Sequence, residues 1–295
     1  MNETIINYIK QKRPSISASS LKTYESILRN LYDKLDFKEG YSMDLFNTES
    51  KKVLEYLKNL NFKKRKTILS ALVVITDNKD YRELMLDDIK EYNKEEAKQI
   101  KTKTQEENWV DKDDLSTLSS VLENNAKLLY KKSKLSNNDL QDIQNYIILE
   151  LFNGKYIPPR RSKDYVNFKI KNIDKDEDNY MNKNEFIFNS YKTAKTYGQQ
   201  KIEIPKELKS IINKWIKINP TDFLLFDSSL KPLTNVKLNQ RLNKLLGKKA
   251  GVNQMRKTYL SSKYQSLIDM KNELANDMGK MASSLIQENI YIKKA

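Results

Sequence analysis

Histidine and cysteine are both missing from the 295 residues of this chain. Without cysteine there is no disulfide framework, no thiol nucleophile and no thiolate metal site. Without histidine as well, zinc chemistry and any Ser-His or Cys-His couple are excluded. Catalysis therefore has to run on Lys, Arg, Tyr, Ser, Thr or carboxylates. Glycine and proline are scarce, six of each, which favours a helix-rich fold. No stretch approaches the roughly 18 apolar residues of a membrane span, and the N-terminal residues lack a signal-peptide core. An intracellular, non-secreted protein with no membrane partner is expected.

What is abundant is positive charge. Lys+Arg number 54 against 39 Asp+Glu, a formal net charge of +15. A surplus of that size favours a polyanionic partner, most commonly nucleic acid. An AT-rich genome also inflates lysine without any selection for binding. Arginine is the more informative residue, because only eight of the basic residues are Arg, at 13, 29, 65, 82, 160, 161, 241 and 256. Its planar fork grips a phosphate bidentately, as the point charge of lysine cannot.

Apolar residues recur at helical spacing through the first hundred positions. "SSLKTYESILRNLYDKL" places Leu21, Tyr24, Ile27, Leu28, Leu31 and Leu35 on one face behind N-capping serines. "ESKKVLEYLKNL" and "RKTILSALVVIT" repeat the pattern, and the cluster "FKKRK" (Lys63, Lys64 and Arg65 within it) suits contact with a DNA backbone. Residues 91–108 carry almost no large apolar side chains and read as a linker or a solvated helix. Beyond them, helices are expected at about 113–130 and 137–152, then three strands at "YVNFKIK", "EFIFNS" and "QKIEI". The last two flank "YKTAKTYG", a hairpin with a basic tip. "PKELKSIINKWIKI", "NVKLNQRLNKLLG", "NQMRKTYLSSKYQSLI" and "MASSLIQENIYI" return to helical spacing. Trp109 and Trp215 read as core anchors. The expected fold is mainly α with a small antiparallel β-sheet (α+β): a helical domain at 1–90, a linker at 91–108 and a larger domain at 109–295.

Several features occur in a telling order. Two adjacent arginines follow an apolar helix in "PPRRSKDY", with Asp164 three positions after Arg161. The lysine-tipped hairpin comes next, then "NQMRKTY" with Arg256 in the opening turn of a helix, then Tyr291 in "MGKMASSLIQENIY". This series resembles the tyrosine recombinase (phage-type integrase) superfamily, and within it the divergent integrases of DNA viruses and mobile elements. The resemblance covers the chain from about residue 109 onward, and more loosely the N-terminal helices as a core-binding, DNA-binding domain.

The resemblance implies that Arg161 is the first catalytic arginine with Asp164 as its acidic companion, Arg160 being the register alternative. It implies Lys192 as the hairpin lysine, with Lys195 second. Arg256 becomes the second arginine, and Asn253 stands where the family has histidine. A plain helix N-cap is the other reading of Asn253. Lys280 or Ser283 occupies the position of a further His or Trp, and Tyr291 becomes the nucleophile, against the bland reading of a packing tyrosine. The implied function is DNA cleavage and rejoining through a 3′-phosphotyrosine, without metal, cofactor or ATP. Its partners would be double-stranded DNA and three further copies of the chain, a homotetramer on DNA. A type IB topoisomerase-like enzyme and a catalytically inactive DNA-binding protein are the alternatives.

Overall fold

Leu28, Leu31 and Leu35 recur at spacings of three and four residues, and all three are buried, which is the signature of a helix laid against a core. The computed structural model describes residues 2–37 and 42–280, in two compact units, Met1–Lys101 and Thr102–Ala295.

The first unit is helical throughout: α1 (Asn2–Lys12), α2 (Ala18–Leu35), α3 (Leu45–Thr48), α4 (Ser50–Lys58), α5 (Phe62–Ile75) and α6 (Lys79–Ala97). Ser17 caps α2 by accepting from the Ser20 amide, and Asn61 and Asn78 cap α5 and α6 in the same way. Their apolar faces meet in one core that includes Ile5, Ile9, Leu28, Phe46, Val53, Leu57, Leu69, Leu72 and Tyr81. The Tyr81 hydroxyl donates to the Phe46 carbonyl at 2.6 Å, so even the polar end of that ring is satisfied.

The second unit opens with α7 (Lys103–Glu107) and continues through α8 (Lys112–Leu129), α9 (Asn137–Phe152) and α10 (Ser162–Val166). Strands β1 (Tyr180–Asn182) and β2 (Glu185–Phe188) follow, then α11 (Ala194–Tyr197) and β3 (Gln200–Glu203). Helices α12 (Lys206–Ile218), α13 (Asn235–Leu246) and α14 (Val252–Lys280) complete the described chain. The stretch 91–108 holds the end of α6 and the whole of α7.

Helix α9 is the axis of this unit. Its consecutive residues Tyr146 to Phe152 are all buried, so it is enclosed on every side rather than half-exposed. Trp215 of α12 stacks on Phe226 at 5.7 Å and donates its indole N–H to the Leu224 carbonyl. The sheet is antiparallel in the order β1-β2-β3, with Phe186 opposite Ile202 and Phe188 opposite Gln200. Phe186 and Phe188 reach into an aromatic cluster with Phe152, Tyr165 and Phe168.

That cluster explains one correction to the sequence reading. "YVNFKIK" alternates like a strand, yet its start belongs to α10 and only Lys169 makes isolated bridges, to Tyr180 and Phe223. Tyr165, Val166 and Phe168 are all buried, so the alternation reflects packing under the sheet and not strand pairing. The third strand is instead β1, three residues long. The hairpin of β2 and β3 is as expected, with α11 inside its basic tip.

Candidate active site

The arginine-bearing turn is built by what flanks it. α9 ends in Asn153 and Gly154, where φ is +77°, and any Cβ at Gly154 would collide with the Tyr259 ring of α14. Pro158 and Pro159 each disfavour helical backbone at the residue before them, Ile157 and Pro158, so the chain stays out of helix between α9 and α10. Arg161 is itself extended (φ −71°, ψ 150°) and opens α10, and its carbonyl accepts the Asp164 amide at 3.0 Å.

The two neighbouring arginines point to different fates. Arg160 is turned inward. Its Nε donates to Asp164 Oδ2 at 2.8 Å and its Nη1 to Gln200 Oε1 at 2.8 Å. Its guanidinium lies 4.0 Å from the centre of the Phe188 ring and 5.3 Å from that of Tyr191. The Arg161 side chain makes no hydrogen bond or ion pair among the described residues, although it lies within electrostatic reach of Asp164.

Arg256 approaches the same carboxylate from a distant part of the chain. Its helix is placed by several contacts. Asn239 of α13 accepts the Val252 amide at 2.9 Å, at a spot where a side chain on Gly251 would strike Asn239. The Thr258 hydroxyl donates to the Val110 carbonyl at 2.8 Å, and Val252 and Met255 are buried. The N-cap reading of Asn253 is therefore corrected: Gly251 precedes the helix, and the capping side chain comes from Asn239. Asn253 is exposed in the first turn.

Asp164 is buried at 2% exposure. Burial pushes its carboxyl up, against the opposing pull of Arg160, Arg161 and Arg256. One buried carboxylate thus holds the Arg160 guanidinium and feels the charge of two more, Arg161 beside it and Arg256 from almost a hundred residues away, a local excess of positive charge. Such an excess, held in place by packing, is what an incoming phosphate requires.

The hairpin tip is joined to this cluster. Arg160 reaches β3 through Gln200 and stacks on Tyr191, the residue before Lys192. The Tyr191 hydroxyl closes the loop by donating to the Gly198 carbonyl at 2.7 Å. Lys192 and Lys195 are both exposed, Lys192 ahead of α11 and Lys195 within it. Among the described residues no group of three or more carboxylates converges as a metal site would require.

No protein-family model matches the sequence, and no curated protein does. Among solved structures, the chain is similar to XerH site-specific recombinase bound to difH substrate in a pre-cleavage complex. That likeness has a TM-score of 0.50 at 13% identity, over 90% of this chain and 75% of that one. The fold is that of a tyrosine recombinase.

Also similar are XerH on palindromic difH in a post-cleavage complex (TM-score 0.49, 12% identity, 90% of this chain and 74% of that one) and XerA recombinase (0.37, 11%, 89% and 84%). At such identities the likeness is one of fold. Within the recombinase fold, the residues expected from sequence fall into three groups. Arg161, Arg256, Arg160 and Asp164 are brought together, with the Lys192 and Lys195 loop attached to them. Lys280 is not, because it sits exposed at the opposite end of α14, 3.4 Å from Asp277. Tyr291 and Ser283 lie outside the described residues.

Lys63, Lys64 and Arg65 belong to the first unit. Lys63 pairs with Glu95 at 2.7 Å, Lys64 is exposed, and Arg65 clasps the buried Asp88 with two bonds of 2.9 and 2.5 Å. Sequence reasoning missed Gln200 and Asn239, whose partners lie 40 and 13 residues away. Nothing local in the sequence marks either one.

Proposed function

We propose that this protein is a site-specific DNA recombinase or integrase that breaks and rejoins strands through a 3′-phosphotyrosine, without metal or ATP. The observation that carries the reading is that Arg161 and Arg256 lie within electrostatic reach of the one buried carboxylate, Asp164, beside a lysine-bearing loop, in a recombinase fold. Arg161 and Arg256 hold the scissile phosphate and stabilise the charge that builds on its non-bridging oxygens. The Tyr291 hydroxyl attacks phosphorus, forming the Tyr–O–P bond as its proton passes to water. The P–O5′ bond breaks, and the Lys192 ammonium protonates the departing oxygen. Reversal with a different 5′-hydroxyl rejoins the strands. Asn253 supplies a hydrogen bond to phosphate and cannot act as acid or base. The partners are duplex DNA and further copies of the chain, four protomers on two DNA sites, wherever the target DNA lies.

The test is recovery of covalent adducts from a random-sequence library of nicked duplexes, in the presence of a chelator. Wild type is expected to trap DNA on a peptide containing Tyr291, and Tyr291→Phe to trap none while binding DNA equally. An adduct on Tyr259 or Tyr264 would move the nucleophile and keep the reaction. Absence of any adduct would leave a DNA-binding protein without chemistry. Relaxation of supercoils without strand exchange would point to a topoisomerase.

A further inference from the structure

Asn179 belongs to no motif, lies just before β1 and is 2% exposed. Its side chain has two donors and two acceptor lone pairs, and all four are used. Nδ2 donates to the Asp164 carbonyl at 2.9 Å and to the Ser190 carbonyl at 2.8 Å. Oδ1 accepts the amides of Asn189 at 2.9 Å and Ser190 at 2.8 Å. One face of this amide therefore holds α10 at the residue that gathers the arginines. The other holds the start of the loop that carries Lys192.

We infer that Asn179 is a positioning residue that sets the reach of Lys192 relative to the phosphate held by Arg161 and Arg256; the inference rests on the proposed strand-cleavage reaction. The loop is also tied within itself, through Tyr191 to Gly198 and Gln199 to Asn189, and Asn189 donates to the Lys175 and Asp178 carbonyls in the turn before β1. Those bonds shape the tip, but they do not aim it. The aim comes from the two links to the arginine turn, Arg160 to Gln200 and Asn179 to Asp164 and Ser190. At the strand end before Lys192, Arg160 touches the Phe188 and Tyr191 rings, whereas Asn179 is the one of the two that bonds the main chain leading to Lys192, at Asn189 and Ser190. Loosening it lets the ammonium drift, and a misplacement of about 1 Å at a proton donor costs on the order of 100-fold in rate. Arg160 keeps its bond to Asp164, and Arg161 and Arg256 stay within electrostatic reach of that carboxylate, so phosphate binding survives.

The readout must separate proton delivery from general damage. Two duplexes of the same sequence serve, one with the natural scissile oxygen and one with sulfur in place of the leaving 5′-oxygen. A thiolate departs without needing a proton, so its cleavage does not depend on Lys192. Asn179→Ala is expected to slow cleavage of the oxygen duplex about 100-fold, to leave the sulfur duplex within about threefold of wild type, and to leave DNA affinity unchanged. In a Lys192→Ala background the same substitution should add nothing on the oxygen duplex. Asn179→Ser adds no charge and keeps a hydroxyl that can bond one of the four backbone groups, so it gives a second variant should the alanine fail to fold; it should show the same split. Equal slowing of both duplexes by the folded variants, or full additivity with Lys192→Ala, overturns the positioning role and leaves the reaction standing. If wild type cleaves neither duplex, the reaction and this role fall together.

Discussion

Replacing Arg160 and Arg161 separately should give opposite phenotypes, although they are neighbours in sequence. The Arg160 side chain is 14% exposed and its partner Asp164 3%, so Arg160→Ala strands a carboxylate in the interior and leaves Gln200 without its partner. Removing one member of a buried ion pair costs about 3–5 kcal/mol. For a unit of this size each kcal/mol lowers Tm by about 2–4 °C, so a fall of roughly 6–20 °C is expected. The Arg161 side chain has no hydrogen bond or ion pair among the described residues to lose, and Arg161→Ala should stay within about 0.5 kcal/mol of wild type, a shift of no more than about 2 °C. Thermal unfolding followed by circular dichroism reads both. The cause can be isolated with Asp164→Asn, which removes the stranded charge. In that background Arg160→Ala should lose at least about 1 kcal/mol less than it does alone. Cleavage should divide the other way, Arg161→Ala losing about 3 kcal/mol of transition-state stabilisation at unchanged DNA affinity. Should Arg160→Ala melt with wild type and lose cleavage while Arg161→Ala keeps it, the assignment of the two arginines is reversed.

Arg256→Ala should likewise cost about 3 kcal/mol or more in cleavage with little change in duplex affinity, and Arg256→Lys should recover only part of it for want of the guanidinium fork; quench-flow adduct formation and a binding titration check both, and full activity in the lysine variant would refute a bidentate role. Glu150 provides a pH test. It is buried at 0% exposure, with Oε1 accepting from Ser119 at 2.5 Å and Asn153 at 3.0 Å and Oε2 unpartnered among the described residues. Burial raises its pKa against the pull of Ser119, Lys155 and Asn153. An acid raised in the folded state binds protons more readily there than in the unfolded chain. Its ionisation therefore erodes stability as pH climbs from the ordinary carboxylate range through the folded pKa. Glu150→Gln should raise stability at neutral pH by on the order of 1 kcal/mol, and the gain should vanish near pH 4, where the native carboxyl is already protonated. Urea midpoints at the two pH values decide it, and a gain that persists in acid would deny the buried charge.

What was legible in the sequence was local. The helix at 137–152 is legible as an amphipathic helix, and α9 runs from Asn137 to Phe152, but its enclosure from Tyr146 to Phe152 is not. The strands "EFIFNS" and "QKIEI" alternate by two and pair as β2 and β3. Arginines held sparingly in a lysine-rich chain point to the cluster before any coordinates do. Each of these signals lives within a few residues, where periodicity and turn chemistry operate. "YVNFKIK" carries a strand's alternation without being a strand, because Tyr165, Val166 and Phe168 are drawn into an aromatic cluster assembled from α9, β2 and the segment after α10. No window of seven residues contains that information.

The same holds for the site. The sequence by itself determined that Arg160, Arg161 and Arg256 were the candidates, because residue chemistry and order survive in one dimension. Which of the adjacent pair turns inward was decided only by the tertiary structure. Asp164, Gln200 and the Phe188 and Tyr191 rings enclose the guanidinium at 160 and leave its neighbour at 161 without a bonded partner among the described residues. Asn179 has no sequence signature, since a buried amide earns its place through four backbone groups contributed by α10 and the β2–β3 loop. Hydrogen bonds between distant segments exist only once the chain has folded around them, and in this molecule they separate the arginine bonded into the interior from its neighbour, whose side chain is left without a bonded partner among the described residues.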